Sequence, residues 1–189
     1  KNTWVIFTAD HGEMLGDHHM SQKNLFFEGS AHVPLLIMPP QGRSLPQNIS
    51  VEAPTDLVDL YPTILAMAGL SSPVSVSGKN LLEPVPMDRM FFGNSLNKNF
   101  CVMEEKVKLV YSAVGDHVLL FDLNTDPMEQ HNLAEDPAWQ ERKAKLWKLL
   151  LEHTAQYTPE ALDENGQFLT YGAPHFPGDV PGRWFGVQY

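Results

Sequence analysis

The sequence predicts an α/β sheet segment followed by a small α+β piece in which an antiparallel sheet is covered by one helix. Three observations predict it. Two short apolar runs rich in β-branched and aromatic residues lie near the start. Closely spaced strand-like runs occupy residues 90–123, and an apolar 3.6-residue period runs from Trp139 to His153. The expected parts are residues 1–85 for the α/β segment, 86–157 for the antiparallel sheet and its helix, and 158–189 for an extended tail rich in Gly, Pro and aromatic residues.

Each element has its own reason. The run Thr3 to Ala9 is too short for a core helix and lacks alternation, which predicts a strand of parallel type buried on both faces. Val33 to Met38 is a second such run, stopped by Pro39-Pro40. The connection between them, residues 10–32, is rich in Gly, His and polar side chains, and a connection that long inside a compact domain is usually functional. Pro62 to Ala68 has helical spacing with Pro62 in the first turn and Gly69 as its stop, and Leu57, Leu60, Ile64, Leu65 and Ala68 are the expected buried stripe. Met90 to Phe92, Phe100 to Met103, Val107 to Tyr111 and Val118 to Leu123 are the strands of a meander, the last two joined as a hairpin through Gly115-Asp116. Asp136-Pro137 is a cap followed by a first-turn proline, and Trp139, Leu146, Leu149, Leu150 and His153 form the stripe that covers the meander.

Composition narrows the classes of function. Thirteen basic against 23 acidic residues give a formal charge of −10, so the surface repels nucleic acids and anionic membranes. No apolar stretch reaches the ~18 residues of a membrane-spanning helix. The single cysteine, Cys101, reads as a small buried hydrophobe and suits either a reducing or an oxidising compartment.

The chemistry-bearing residues crowd the first connection. Asp10 and His11 emerge where the first strand ends, and in open α/β sheets ligands bind beyond the carboxyl ends of strands. A carboxylate and an imidazole there offer two donors to a divalent cation, while Gly12 allows close backbone approach. Lys23 lies among Phe26, Phe27 and Glu28, where partial burial turns an ammonium into a strong point charge for an oxyanion. An imidazole at His18 or His19 is a candidate to protonate a leaving alcohol or orient the ester. Glu104-Glu105 reads as a charged turn, and Glu160, Asp163 and Glu164 as a solvated patch. His175 is a candidate for the rim of a substrate mouth.

Together these segments carry a resemblance. Thr8-Ala9-Asp10-His11-Gly12, Leu15-Gly16-Asp17-His18, Lys23 with Phe27-Glu28-Gly29, and Val33-Pro34-Leu35 resemble the downstream metal-and-sulfate segment of the formylglycine-dependent sulfatases of the alkaline-phosphatase-like superfamily. Asp59-Leu60-Tyr61-Pro62-Thr63 is similar to the helix that follows in that family. Asp122-Leu123, Asp126-Pro127, Glu129 and Asn132-Leu133 resemble its C-terminal signature. The resemblance implies the C-terminal part of an alkaline-phosphatase-like sheet domain and a small-molecule or carbohydrate sulfate ester as substrate. Asp10 and His11 are then ligands of a divalent cation, calcium or magnesium, and Lys23 holds a sulfate oxygen; His18 is the candidate, from its own chemistry, to assist the leaving group.

The resemblance also sets departures. The family's nucleophile is a formylglycine made from Cys or Ser in C/S-x-P-x-R, and neither Cys101, followed by Val102-Met103-Glu104, nor any serine here stands in that pattern. The chain is therefore expected to be a piece of a longer polypeptide, inactive alone, whose N-terminal remainder is its partner and whose unpaired strands favour exposed apolar surface or homo-oligomers. His11, where many relatives carry Asn, is also what zinc phosphodiesterases of the same superfamily carry, and a phosphodiester or phosphonate ester with zinc or manganese is the alternative substrate. His32 stands where relatives carry Arg. A non-catalytic packing or binding module is the reading outside enzymes.

Overall fold

The computed structural model describes residues 2–23, 25–43, 49–73 and 75–172. The expected His175 and most of the expected tail lie outside the described residues. The chain forms two compact units, one made of residues 1–10 and 33–91, the other of residues 11–32 and 92–189.

In the first unit, β1 (Val5–Thr8) pairs antiparallel with β2 (Leu35–Met38), Val5 opposite Met38 and Thr8 opposite Leu35. The expectation of a strand of parallel type buried on both faces is corrected. Side chains alternate along each strand, and Val5, Phe7, Leu36 and Met38 are 45%, 61%, 59% and 58% exposed. Among the described residues the two strands are hydrogen-bonded only to each other.

The expected helix forms as α2 (Leu60–Met67), entered through a tight turn at Leu57–Asp59 and followed by Gly69 at φ 74°. Its buried face differs from the expected apolar stripe. Ile64 and Leu57 are exposed, whereas Asp59, Pro62 and Thr63 are buried. A polar network accounts for this. Asp59 takes both Arg89 guanidinium nitrogens at 2.5 and 2.9 Å and the Lys79 amide at 2.7 Å, and Thr63 Oγ1 donates to the Asp59 carbonyl oxygen and accepts from the Leu81 amide.

The second unit contains the meander as expected: β3 (Phe91–Ser95), β4 (Asn99–Glu104), β5 (Val107–Ser112) and β6 (His117–Asp122), in that order across the sheet. The β4–β5 turn holds Glu105 and Lys106 at positive φ, and Glu104 pairs with Arg142 and Lys145, so the charged-turn reading of Glu104-Glu105 holds. The β5–β6 connection turns through Gly115 and Asp116, also at positive φ. Helix α3 (Gln140–Tyr157) starts after a short turn capped by Asp136, which accepts from the Ala138 amide at 2.9 Å. Leu146 and Leu150 of α3 pack with Phe100, Val102, Leu109, Tyr111 and Leu120 on one sheet face.

Residues 158–172 do not run extended. Phe168 joins that core, Leu162 bridges Phe168, and Tyr171 hydrogen-bonds to Ala113 and Gly115 at the sheet's end.

The opposite sheet face is covered by the first connection. Met14, Met20, Leu25 and Phe27 pack on Phe121, with Leu119 and Leu123 beside it. Every residue of β5 is consequently buried, since one face meets the helix and the other meets this connection. The short helix α1 (Glu28–Ala31) ends the covering segment.

Candidate functional site

The covering segment carries three of the four predicted site residues. Asp10, exposed, follows β1 in the first unit; His11 opens the segment in the second. Gly12 donates its amide to the Ser30 carbonyl at 2.8 Å, and a Cβ at that position would lie 2.1 Å from the Gly29 carbonyl oxygen, so only glycine permits the approach. The segment then closes on itself. Glu13 accepts from the Gln22 amide through its side chain, and the Met14 amide donates to the Gln22 carbonyl oxygen at 3.0 Å.

That closure brings His11 and Lys23 together. His11 Nδ1 lies 2.7 Å from the Gly12 carbonyl oxygen, a group that can only accept, so Nδ1 carries the proton. Nε2 then presents its lone pair, and the Lys23 ammonium donates to it at 2.5 Å. Lys23 is exposed, so its charge is not sunk among the neighbouring aromatic side chains; those turn inward instead, with Phe27 in the core cluster. His18, at φ 52°, stacks on Phe27 with ring centroids 4.1 Å apart and planes 13° apart, while His19 is exposed. The stack fixes the ring plane of His18 and leaves its nitrogens at the ring edge.

A second group of charged residues lies beneath the segment. The Lys108 side chain is 3% exposed. Its Nζ donates to the Phe26 carbonyl oxygen at 2.8 Å and pairs with Glu28 at 2.6 Å and Glu129 at 2.7 Å. Glu129 also accepts the Glu28 amide at 2.6 Å, and His32 Nδ1 meets the other Glu28 oxygen at 2.7 Å. Burial pushes the Glu28 carboxyl up, but Lys108 and then His32 outweigh it and hold it below its ordinary value. Burial alone would lower the Lys108 ammonium; Glu129, Cys101 and Glu28 raise it instead. Lys108 escaped the sequence reading. Its signal was a lone cation inside the apolar run Val107 to Tyr111, where an unpaired charge would be prohibitive.

The rest of the C-terminal signature is structural. Asp126 accepts the Gln130 and His131 amides at 3.0 and 2.8 Å, and Asn132 accepts the Leu120 and Ala134 amides at 2.9 and 3.0 Å, folding the chain back along β6. Asp163 likewise closes a turn, accepting from Asn165 and Gln167. Cys101 is fully buried, and burial pushes its thiol up to about 12, which suits the packing role expected of it.

Among the described residues no three His, Cys, Asp or Glu side chains are grouped to hold a metal ion. The donor chemistry at the head of the segment nevertheless fits a divalent cation in part. With its proton on Nδ1, His11 would bind a metal ion through Nε2, the nitrogen that the Lys23 ammonium contacts.

Comparison with known proteins defines the class. The chain has the C-terminal part of the alkaline-phosphatase-like fold found in sulfatases. It superposes on the phosphonate monoester hydrolase of Agrobacterium radiobacter with a TM-score of 0.62 and 32% identity, covering 87% of this chain and 38% of that one. More narrowly, the chain belongs to the family described as N-sulphoglucosamine sulphohydrolase, C-terminal, whose model matches residues 16–156. It is 36% identical over 174 residues to a choline-sulfatase of Rhizobium meliloti (strain 1021), covering 86% of this chain and 33% of the relative. It is 32% identical over 165 residues to an uncharacterized sulfatase of Escherichia coli (strain K12), covering 81% and 32%. The chain thus spans about a third of the length of the curated relatives it matches.

Proposed function

We propose that this chain is part of a sulfuric ester hydrolase in which Asp10 and His11 are ligands of a divalent cation and Lys23 grips the sulfate. The observation that carries the proposal is the convergence of the His11 Nε2 lone pair and the Lys23 ammonium, 2.5 Å apart, in a chain of the sulfatase family. When bound, the cation would draw negative charge from the sulfate oxygens. Lys23, exposed and within reach of the same point, adds a donor aimed at an oxygen that gains charge as the sulfur–oxygen ester bond breaks. His18, its plane fixed by Phe27, supplies a proton to the departing alcohol oxygen. The attacking group is a formylglycine outside these residues, and the substrate is a sulfate ester of a small molecule or carbohydrate.

The test uses the full-length enzyme. Asp10→Ala should lower bound divalent metal, measured by elemental analysis, together with sulfate-ester turnover. Lys23→Ala should cut turnover by roughly 10² to 10³ while metal stays bound. Full turnover in either variant rejects the assignment.

A second reading makes the ester a phosphonate or phosphodiester. The 32% identity to a phosphonate monoester hydrolase and the imidazole at position 11, which suits zinc or manganese better than calcium, support it. Parallel assays on aryl sulfate and aryl phosphonate, with calcium and with manganese, separate the two.

A further inference from the structure

We infer that Lys108 and Glu129 are positioning residues for the His11–Lys23 pair, holding from the sheet the peptide on which that pair and His18 depend. The inference rests on the anion-binding reading of Lys23 given above. Lys108 reaches across from β5 to the Phe26 carbonyl oxygen and the Glu28 carboxylate, at 2.8 and 2.6 Å. Glu129, arriving from the turn after β6, takes the Glu28 amide at 2.6 Å. Both ends of the tripeptide 26–28 are therefore tied to one buried ammonium and its second carboxylate. The residue between, Phe27, carries the His18 ring and packs on Phe121 at 5.8 Å between centroids. Lys23 is three positions ahead of Phe26, and Gly12, beside His11, is hydrogen-bonded to Ser30 just behind Glu28.

Two features separate this network from ordinary packing. One buried ammonium faces two carboxylates, buried Glu129 and partly exposed Glu28, the latter also met by His32, and apolar isosteres of such networks are often as stable or more so. Glu129 also sits at φ 56°, a left-handed backbone that persists in a non-glycine residue only where its surroundings dictate it. Phe121 and Leu119 already anchor the segment by burial. The network adds a fixed position for peptide 26–28, as the distances show.

The test is Glu28→Gln/Lys108→Met/Glu129→Gln in the full-length enzyme, which removes the charges and keeps side-chain shape. The thermal midpoint should move little. Meanwhile kcat on an aryl sulfate should fall roughly tenfold to a hundredfold, and the inhibition constant of inorganic sulfate should rise, because small misplacements of a catalytic group have effects of that size. Glu129→Gln alone leaves a neutral Lys108–Glu28 pair and an acceptor for the amide, so it provides a folded variant whatever the triple does, and it should show the same changes to a lesser degree. Lys108→Arg should recover part of the kcat. Unchanged kcat and sulfate inhibition in Glu129→Gln or in a folded triple variant overturn the inference. Lys23→Ala in the same assay tells the failures apart. If it is inert, the anion site itself is wrong; if it is damaging while the network variants are normal, only the positioning role falls.

Discussion

The two buried ion networks are built on opposite plans. In the first unit, fully buried Asp59 is matched by one guanidinium in a two-pronged contact, and its remaining acceptor capacity is filled by the Asp56 and Lys79 amides at 2.8 and 2.7 Å. The Asp56 carboxylate also feels the Arg89 charge, but the guanidinium hydrogen-bonds directly to Asp59. In the second unit one ammonium serves two carboxylates. The units differ in the same sense in their apolar parts. The four-stranded sheet is covered on both faces, whereas the β1–β2 pair shows four large apolar side chains on an exposed face. Where apolar burial is thin, a saturated polar network does the holding. Where it is thick, the proposed role of the charged network is placement of peptide 26–28.

The largest expected effect tests the first half of that contrast. Arg89→Ala leaves the Asp59 carboxylate buried without its cation, and loss of one partner from a buried pair costs about 3 to 5 kcal/mol. Hydrogen exchange at the Lys79 and Leu81 amides, both bonded into this network, should accelerate accordingly, with amides of β5 unaffected. A loss under about 1 kcal/mol, the size of an exposed surface pair, would break the comparison.

A smaller effect distinguishes the units by pH. Burial lowers His153 below its ordinary 6.5 in the second unit, where its ring stacks on Phe92 and lies tilted against Tyr157. The unfolded chain takes up that proton first, so the stability held by the neutral ring is complete above pH 6.5 and is lost as pH falls through the lower folded value. Asp59 behaves as a depressed carboxylate. Burial would raise it, but Arg89 and the amides outweigh burial and hold it below 3.8, so its contribution is present above that pH and lost only below it. Asp56 opposes this, being pushed up chiefly by burial. Acid titration followed by site-resolved exchange should therefore loosen the second unit at a higher pH than the first, and His153→Phe should remove that early phase. Simultaneous loss in both units, unchanged by the substitution, would contradict the assignment.

What was legible in the sequence divides along the same line. The meander, the Asp136 cap and the α3 stripe were readable because turn residues and periods are local signals, and Gly115-Asp116 turns the chain as expected. The covering of the sheet by residues 11–32 was not, because its contacts join Glu28 to Glu129 and Lys108 to Glu28 across 101 and 80 positions. The stripe on α2 misled for a related reason: Asp59 is polar in sequence and buried in the fold only because Arg89 meets it from 30 positions away. At the candidate site the residue types of His11 and Lys23 suggested a metal ligand and an anion clamp. Their contact depends on the closure of residues 13–22, which neither residue reveals.

The smallest effect concerns the exposed face. Phe7 is 61% exposed on β1, so Phe7→Thr, which preserves strand preference, should change the stability of the first unit by no more than about 0.5 kcal/mol. The same substitution removes a large share of the exposed apolar surface that Phe7 shares with Val5, Leu36 and Met38. If that surface drives self-association, light scattering from the 189-residue chain should show smaller particles for the variant at equal concentration. A stability loss of several kcal/mol would mean that Phe7 is covered in solution, and identical scattering from both proteins would mean that the face does not bind a second copy. Either result would erase the contrast between a closed sheet and an open one.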